Sequence, residues 1–281
     1  MTSERIKQSI GNQPPDLILP PQPKAMMVLM EEMQRPEPDL KRVAQVIQTD
    51  PALAGAMLKV VNSPAFGLAT KASSVSQAIN YLGFRNISSI ASGLALRQVM
   101  SSPVAGLERF WDTAEQVAVL CASLTKRIRG IARDQAYTVG LFHDCGIPLL
   151  MQRFPAYKDT LIRANKGEDR CFDQIEQDEL GTSHTSVGYF IAKSWHLPED
   201  ICQAILLHHA PDTFSPDQNL SETTKNFVGL VLLAEHIHHQ RQRVEVDIEW
   251  ERMGPMVLKH FGLDEADYFE LIDFAEELLV A

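Results

Sequence analysis

The chain has 281 residues, 45% of them hydrophobic and 22% charged, with a formal net charge of −10 at pH 7. That composition belongs to a globular protein with enough apolar material for a sizeable core. The negative charge excludes broad electrostatic attraction to nucleic acid or an anionic membrane, and the longest apolar run, "FVGLVLLA", is far shorter than a membrane span.

Residues 1–16 are polar and end in Pro14 and Pro15, which predicts a loosely held arm. In "PEPDLKRVAQVIQTD", Asp39 is a helix N-cap ahead of apolar residues at 40, 43, 46 and 47, a helical spacing. "TDPALAGAMLKVVNSP" repeats the device, with Asp50 as N-cap and Pro51 at the first helical position, where the missing N–H is tolerated. "VSQAINYLGF" puts Ser76 at an N-cap and Gly83 where a helix ends, and a further helix runs from Asn86 to Met100. Beyond Pro103 the periodicity predicts longer helical segments at 112–130, 136–145, 148–165, 171–180, 184–195, 198–210, 221–241 and 264–280. Strand-type alternation is confined to "RVEVDIEW", inside the irregular stretch 242–255, and "APDTFSPDQN" is a second irregular stretch. An all-α fold follows. Pro103 and the change in helix length place a boundary within 101–108, dividing an N-terminal part, 17–104, from a C-terminal helical bundle, 105–281. Short helices cannot bury their apolar faces alone, so the two parts should share an interface. Phe66, in "NSPAFGLATKASS", is expected to pack against the other half rather than meet a partner.

Four cysteines, at 121, 145, 171 and 202, are too widely spaced for any CxxC pair and indicate a reducing compartment. With no apolar leader, a soluble, cytoplasmic protein is expected. The densest basic run, Lys126 to Arg133, lies at the end of a predicted helix, where cations complement the dipole.

The stretch "GLFHDCG" sets His143 and Asp144 at a helix end that breaks at Gly146. An imidazole nitrogen and a carboxylate oxygen together suit a divalent transition metal, although two donors do not complete a site. Further donors are His184, one of His208 and His209, and Glu235 or His236, each pair or residue on a separate predicted helix. Three imidazoles and two carboxylates would balance one divalent ion. For His209, His236, His238 and His239 the plainer expectation is a satisfied or surface residue. Cys145, beside the pair, is expected to be a small buried hydrophobe.

"LPPQPKAMMVLMEEM", "VAQVIQTDPALAGAMLKVVNSPAFG" and "VSQAINYLGFRNI", followed by "FWDTAEQVAVLCASL", "GLFHDCG", "EQDELGTSHTSVGYFIAKSWHLPEDICQAILLHHAP" and "LVLLAEHI", resemble the HDOD family, the HD-related output domain of bacterial signalling proteins. The resemblance implies an all-helical protein whose second half is similar to the HD phosphohydrolase superfamily and its cyclic-di-GMP-cleaving branch. Carried over by position, the first-His place of that superfamily is Thr113, the His-Asp pair is His143 and Asp144, and the closing Asp is replaced by Glu235. His184 and His208 match the extra histidines of the branch with a second metal position. The Gly-Lys that follows the pair in active members is here Gly146-Ile147, and no Gly-Tyr-Pro follows His209. The resemblance therefore implies a non-catalytic output module acting by contact with other signalling proteins. A metal-dependent phosphohydrolase of a nucleotide or cyclic dinucleotide is the alternative. The remaining donors suffice for iron, manganese or zinc, a nucleotide is the small ligand to test, and no direct nucleic-acid binding is expected.

Overall fold

A computed structural model describes residues 19–101, 106–166, 170–242 and 246–280. The arm at 1–16 and Pro103, the boundary proline, lie outside the described residues. Among those residues every regular element is helical, and no helix is long and apolar enough to cross a membrane.

Among the described residues the first helix is Lys24–Met33 (α1), which starts after Pro23 without a capping side chain. Asp39 then accepts from the amides of Lys41 and Arg42 to start Leu40–Gln48 (α2), and Asp50 does the same for Pro51–Val61 (α3). The cap of Val75–Leu82 (α4) is Ser74, not the expected Ser76: its hydroxyl accepts from Gln77 N at 3.2 Å. Starting two residues earlier buries Val75 together with Ala78 and Ile79. Gly83 takes φ 82°, which only glycine adopts freely, and turns the chain straight into Phe84–Val99 (α5).

In the C-terminal half the helices are Leu107–Leu124 (α6), Arg133–Phe142 (α7), Ile147–Arg153 (α8), Tyr157–Asn165 (α9), Phe172–Leu180 (α10), His184–Ser194 (α11), Glu199–Leu207 (α12), Glu222–Arg241 (α13), Ile248–Phe261 (α14) and Glu265–Val280 (α15). Three expectations change. The segment 112–130 stops at Leu124, so the basic run forms turns after the helix rather than its last turn. The segment 148–165 splits at Phe154, which is extended at φ −117° because the next residue is Pro155. "DIEWERMGP" is part of a helix with Asp247 as its cap, not a strand; residues 243–245 lie outside the described set.

One apolar core runs through both halves. Helix α5 lies against α7 so closely that a Cβ on Gly93 would come within 1.9 Å of Leu141 Cδ2. Phe66 is buried, its ring 6.0 Å from that of Tyr137 on α7, as expected.

Candidate metal centre

Helix α7 ends at Phe142 and residues 143–146 turn before α8, the amide of Ile147 donating to the Asp144 carbonyl at 2.9 Å. A Cβ on Gly146 would stand 2.1 Å from the carbonyl oxygen of His184. Only a glycine lets this turn meet the first residue of α11, which Ser183 caps through Ser186 N. That contact brings Asp144 to His184.

His143, Asp144, His184, His208 and Glu235, from the α7 turn, α11, the end of α12 and α13, come together. Asp144 is central: Oδ2 is 3.4 Å from His143 Nε2, and Oδ1 is 3.2 Å from His184 Nε2 and 3.3 Å from His208 Nε2. Glu235 Oε1 is 3.2 Å from His143 Nε2. The donors form two groups that share Asp144, one with His143 and Glu235 and one with His184, His208 and His209, each with its atoms within 4.8 Å of one another.

The far side of each imidazole fixes what the near side offers. His143 Nδ1 is 2.7 Å from the Gly140 carbonyl and His208 Nδ1 is 2.8 Å from that of Ile205; a carbonyl only accepts, so both Nδ1 atoms carry the hydrogen. His184 Nδ1 is 2.6 Å from Glu176 Oε2, a carboxylate with no solvent exposure that also accepts from the His184 amide and from the Tyr157 hydroxyl. Neutral, all three rings therefore aim an Nε2 lone pair at Asp144. The Nε2 atoms of His184 and His208 are 3.4 Å apart with no hydrogen left to share. Acceptors facing acceptors require a cation between them, either protons or a metal ion. The spacing fits a metal: donors about 2.05 Å from a tetrahedral ion lie roughly 3.3 Å apart.

The titration behaviour states the same demand. Burial opposes a charge on His143, but Asp144 and Glu235 outweigh it and hold the ring well above the ordinary imidazole value. At His184 burial is likewise overcome, by Glu176 and Asp144, and the value is pushed up to about 10. His208 moves the other way, to about 4, through burial and the neighbouring His209. Burial favours protonated Asp144, yet His143, His184 and His208 hold its carboxyl well below the usual range.

A cavity of about 740 Å³ opens over this centre. His143, Asp144 and Glu235 reach it, whereas His184 and His208 sit behind them with no solvent exposure. Thr113 lines the same cavity as those three.

Several expectations are sharpened. Of the ambiguous pair, His208 meets Asp144. His209 is not a surface residue: it is buried, stacked on Phe172 at 4.9 Å, with Nδ1 3.1 Å from Glu249 Oε1. His236 and His238 are also buried, each with a partner, and His236 does not join the centre. His236 and His239 both contact Asp247 Oδ2, at 2.9 and 3.0 Å, tying α13 to the cap of α14. Glu235 is partly buried. Cys145 is buried as expected, and none of the four cysteines is in a disulfide. Sequence reading missed Glu176; its trace was a carboxylate next to Ile175 and four residues after Phe172, on the apolar side of α10.

An all-helical body with a His-Asp turn facing imidazoles from two further helices is the arrangement that the sequence resemblance implies. The HDOD domain matches residues 19–211, more than half of the sequence, and the chain belongs to that family. A protein of Treponema pallidum, named as uncharacterized, is 25% identical over 224 residues, covering 75% of this chain and 42% of that protein. The cyclic di-GMP phosphodiesterase CdgJ of Vibrio cholerae is 26% identical over 202 residues, covering 64% and 46%. The chain thus spans less than half the length of these curated relatives. Among solved structures, an HDOD domain protein of Geobacter sulfurreducens superposes with a TM-score of 0.69 at 21% identity, covering 100% of this chain and 96% of the other. A Shewanella amazonensis protein, provisionally named a metal-dependent phosphohydrolase, gives 0.64 at 19% identity, covering 97% and 99%. At these identities the structures show the fold.

Proposed function

We propose that this chain is a signal-transduction module that holds a divalent transition metal at the Asp144 centre and passes its state to another signalling protein without turning over a phosphodiester. One observation carries the metal: the Nε2 atoms of His143, His184 and His208 and the carboxylates of Asp144 and Glu235 face one another with the Nδ1 hydrogens already committed elsewhere. Imidazole with carboxylate suits iron, manganese or zinc. Such an ion would polarise a bound anion or water. Against turnover stands Thr113, a hydroxyl at the cavity wall where the family resemblance places an imidazole, and Ile147 where it places a lysine.

The rival reading is a metal-dependent phosphohydrolase of a nucleotide or cyclic dinucleotide, favoured by the open cavity above His143, Asp144 and Glu235 and by the name of the Vibrio relative. Both are tested on protein purified without chelators, by elemental analysis and by assays on cyclic di-GMP and a simple phosphodiester with added manganese or iron. The expected result is stoichiometric metal that Asp144→Ala abolishes, and no turnover. Turnover that disappears in Asp144→Ala supports the rival, and absence of metal at any pH from 6 to 8 overturns the metal centre.

A further inference from the structure

The charged residues lining the cavity are unequally engaged. Its four carboxylates all have partners: Asp144 and Glu235 face His143, Asp247 accepts from His236 and His239, and Glu249 meets His209 at 3.1 Å and Arg252 at 3.7 Å. Two cations that line the same cavity have none among the described residues. Arg109 and Lys158 line the cavity, are solvent-exposed, and make no ion pair among the described residues, even though Glu108 and Asp159 are their chain neighbours. Their positions make this less expected. Arg109 is the third residue of α6 and Lys158 the second of α9, both at the positive ends of helix dipoles, where a cation is disfavoured. Lys158 also leans over the start of α6, its Nζ only 3.6 Å from where a Cβ on Gly106 would be. In a chain of net charge −10, two unpaired cations brought to one cavity wall against their helix dipoles are placed for a ligand.

The rest of the cavity describes that ligand. Ile162 and Val246, 55% and 57% exposed, are two large apolar side chains left bare at its wall, and the ring residues Phe110, Phe172 and Trp250 line it. Two monocations match a dianion, and the aromatic and aliphatic walls match an apolar ring. We infer that the cavity binds a small phosphate monoester with a planar apolar body, its phosphate held by Arg109 and Lys158 and its body between the aromatic walls. The inference deepens the metal-centre reading and rests on it for the floor of the cavity. It also supplies, from α6 and α9, the positive charge that Ile147 does not provide.

The test is calorimetric titration of the manganese-loaded protein with phenylphosphonate, which carries dianion and ring but has no ester to cleave, and with inorganic phosphate and phenol as the two parts alone. Phenylphosphonate should bind about tenfold or more tighter than either part. The double variant Arg109→Ala/Lys158→Ala should lose about tenfold or more in affinity for both phosphorus probes, with phenol and manganese binding unchanged. Because it removes cations from two positive helix ends, its Tm should be equal to or above that of the parent, which a structural role for these residues does not predict. Unchanged phenylphosphonate affinity in the double variant, or no gain from the ring, overturns the proposal. If the protein takes up no manganese and yet binds phenylphosphonate through Arg109 and Lys158, the metal reading fails and the anion site stands.

Discussion

Glu32 and Glu176 are carboxylates with no solvent exposure, one in each half, and they are held by different chemistry. Glu32 accepts from the Asp39 amide at 2.8 Å, from Arg35 at 2.8 Å and from Arg42 at 2.7 Å. That amide and the two guanidinium groups hold it below the usual carboxylate range despite burial. Its charge is neutralised on the spot, and it ties α1 to α2. Among the described residues Glu176 has no guanidinium or ammonium partner; it is met by the Tyr157 hydroxyl, an amide and the His184 ring, whose other nitrogen faces Asp144. One buried charge closes a structural contact, and the other is completed only through the centre. The same division runs through the whole chain, since all nine histidines lie beyond residue 142.

Substituting the two glutamates is the sharpest way to break this comparison. Glu176→Gln should weaken manganese binding by about 10- to 100-fold, the usual effect of losing the group behind a ligating imidazole. Glu32→Gln should lower the urea midpoint and leave manganese affinity untouched. Equal effects on metal binding would erase the distinction.

Two glycines test it next. Gly146→Ala drives a methyl against the backbone oxygen of His184 and should destabilise by the upper end of the roughly 1–3 kcal/mol typical of overpacking, with loss of metal affinity. Gly93→Ala meets the end of the Leu141 side chain, which can move, and should fall at the lower end with metal affinity retained. Urea unfolding and manganese titration of both variants decide.

A smaller effect belongs to the caps. Asp50 accepts from Ala52 N and Leu53 N, both at 3.0 Å, and Asp50→Ala should cost about 1 kcal/mol by urea unfolding, without any change at the centre.

The pH dependence is the mildest test. Burial and the neighbouring His239 depress His238 from 6.5 to about 4, and Gln242 Nε2 lies 2.8 Å from its Nε2. The unfolded chain takes up this proton more readily than the folded one, so stability is full above about pH 6.5 and falls as pH drops towards 4. His238→Asn should flatten the unfolding free energy across that window. An unchanged slope would show that His238 does not contribute to it.

Much of this protein is legible in its sequence because the physics is local. Asp39 and Asp50 cap helices through amides two and three residues away, Gly83 turns the chain by its own φ, and the helical periodicity places the apolar faces. Ser74 shows the limit even there: two serines offer a cap, and which one is used depends on burying Val75. The pairing of His143 with Asp144 is likewise local, and with the family resemblance it points to His184, to the pair His208 and His209, and to Glu235.

What the sequence leaves undecided depends on residues far apart in the chain meeting in space. Whether His208 or His209 meets Asp144 is set by the rotation of α12 at its C-terminal end, fixed by packing. The role of Glu176 exists only because α10 lies beside the start of α11, and Arg109 and Lys158 share a wall only because α6 and α9 begin at the same cavity. Local chemistry selected the helices and the donor types; the tertiary contacts, beginning with Gly146 against His184, decided which donors face one another and which charges were left free.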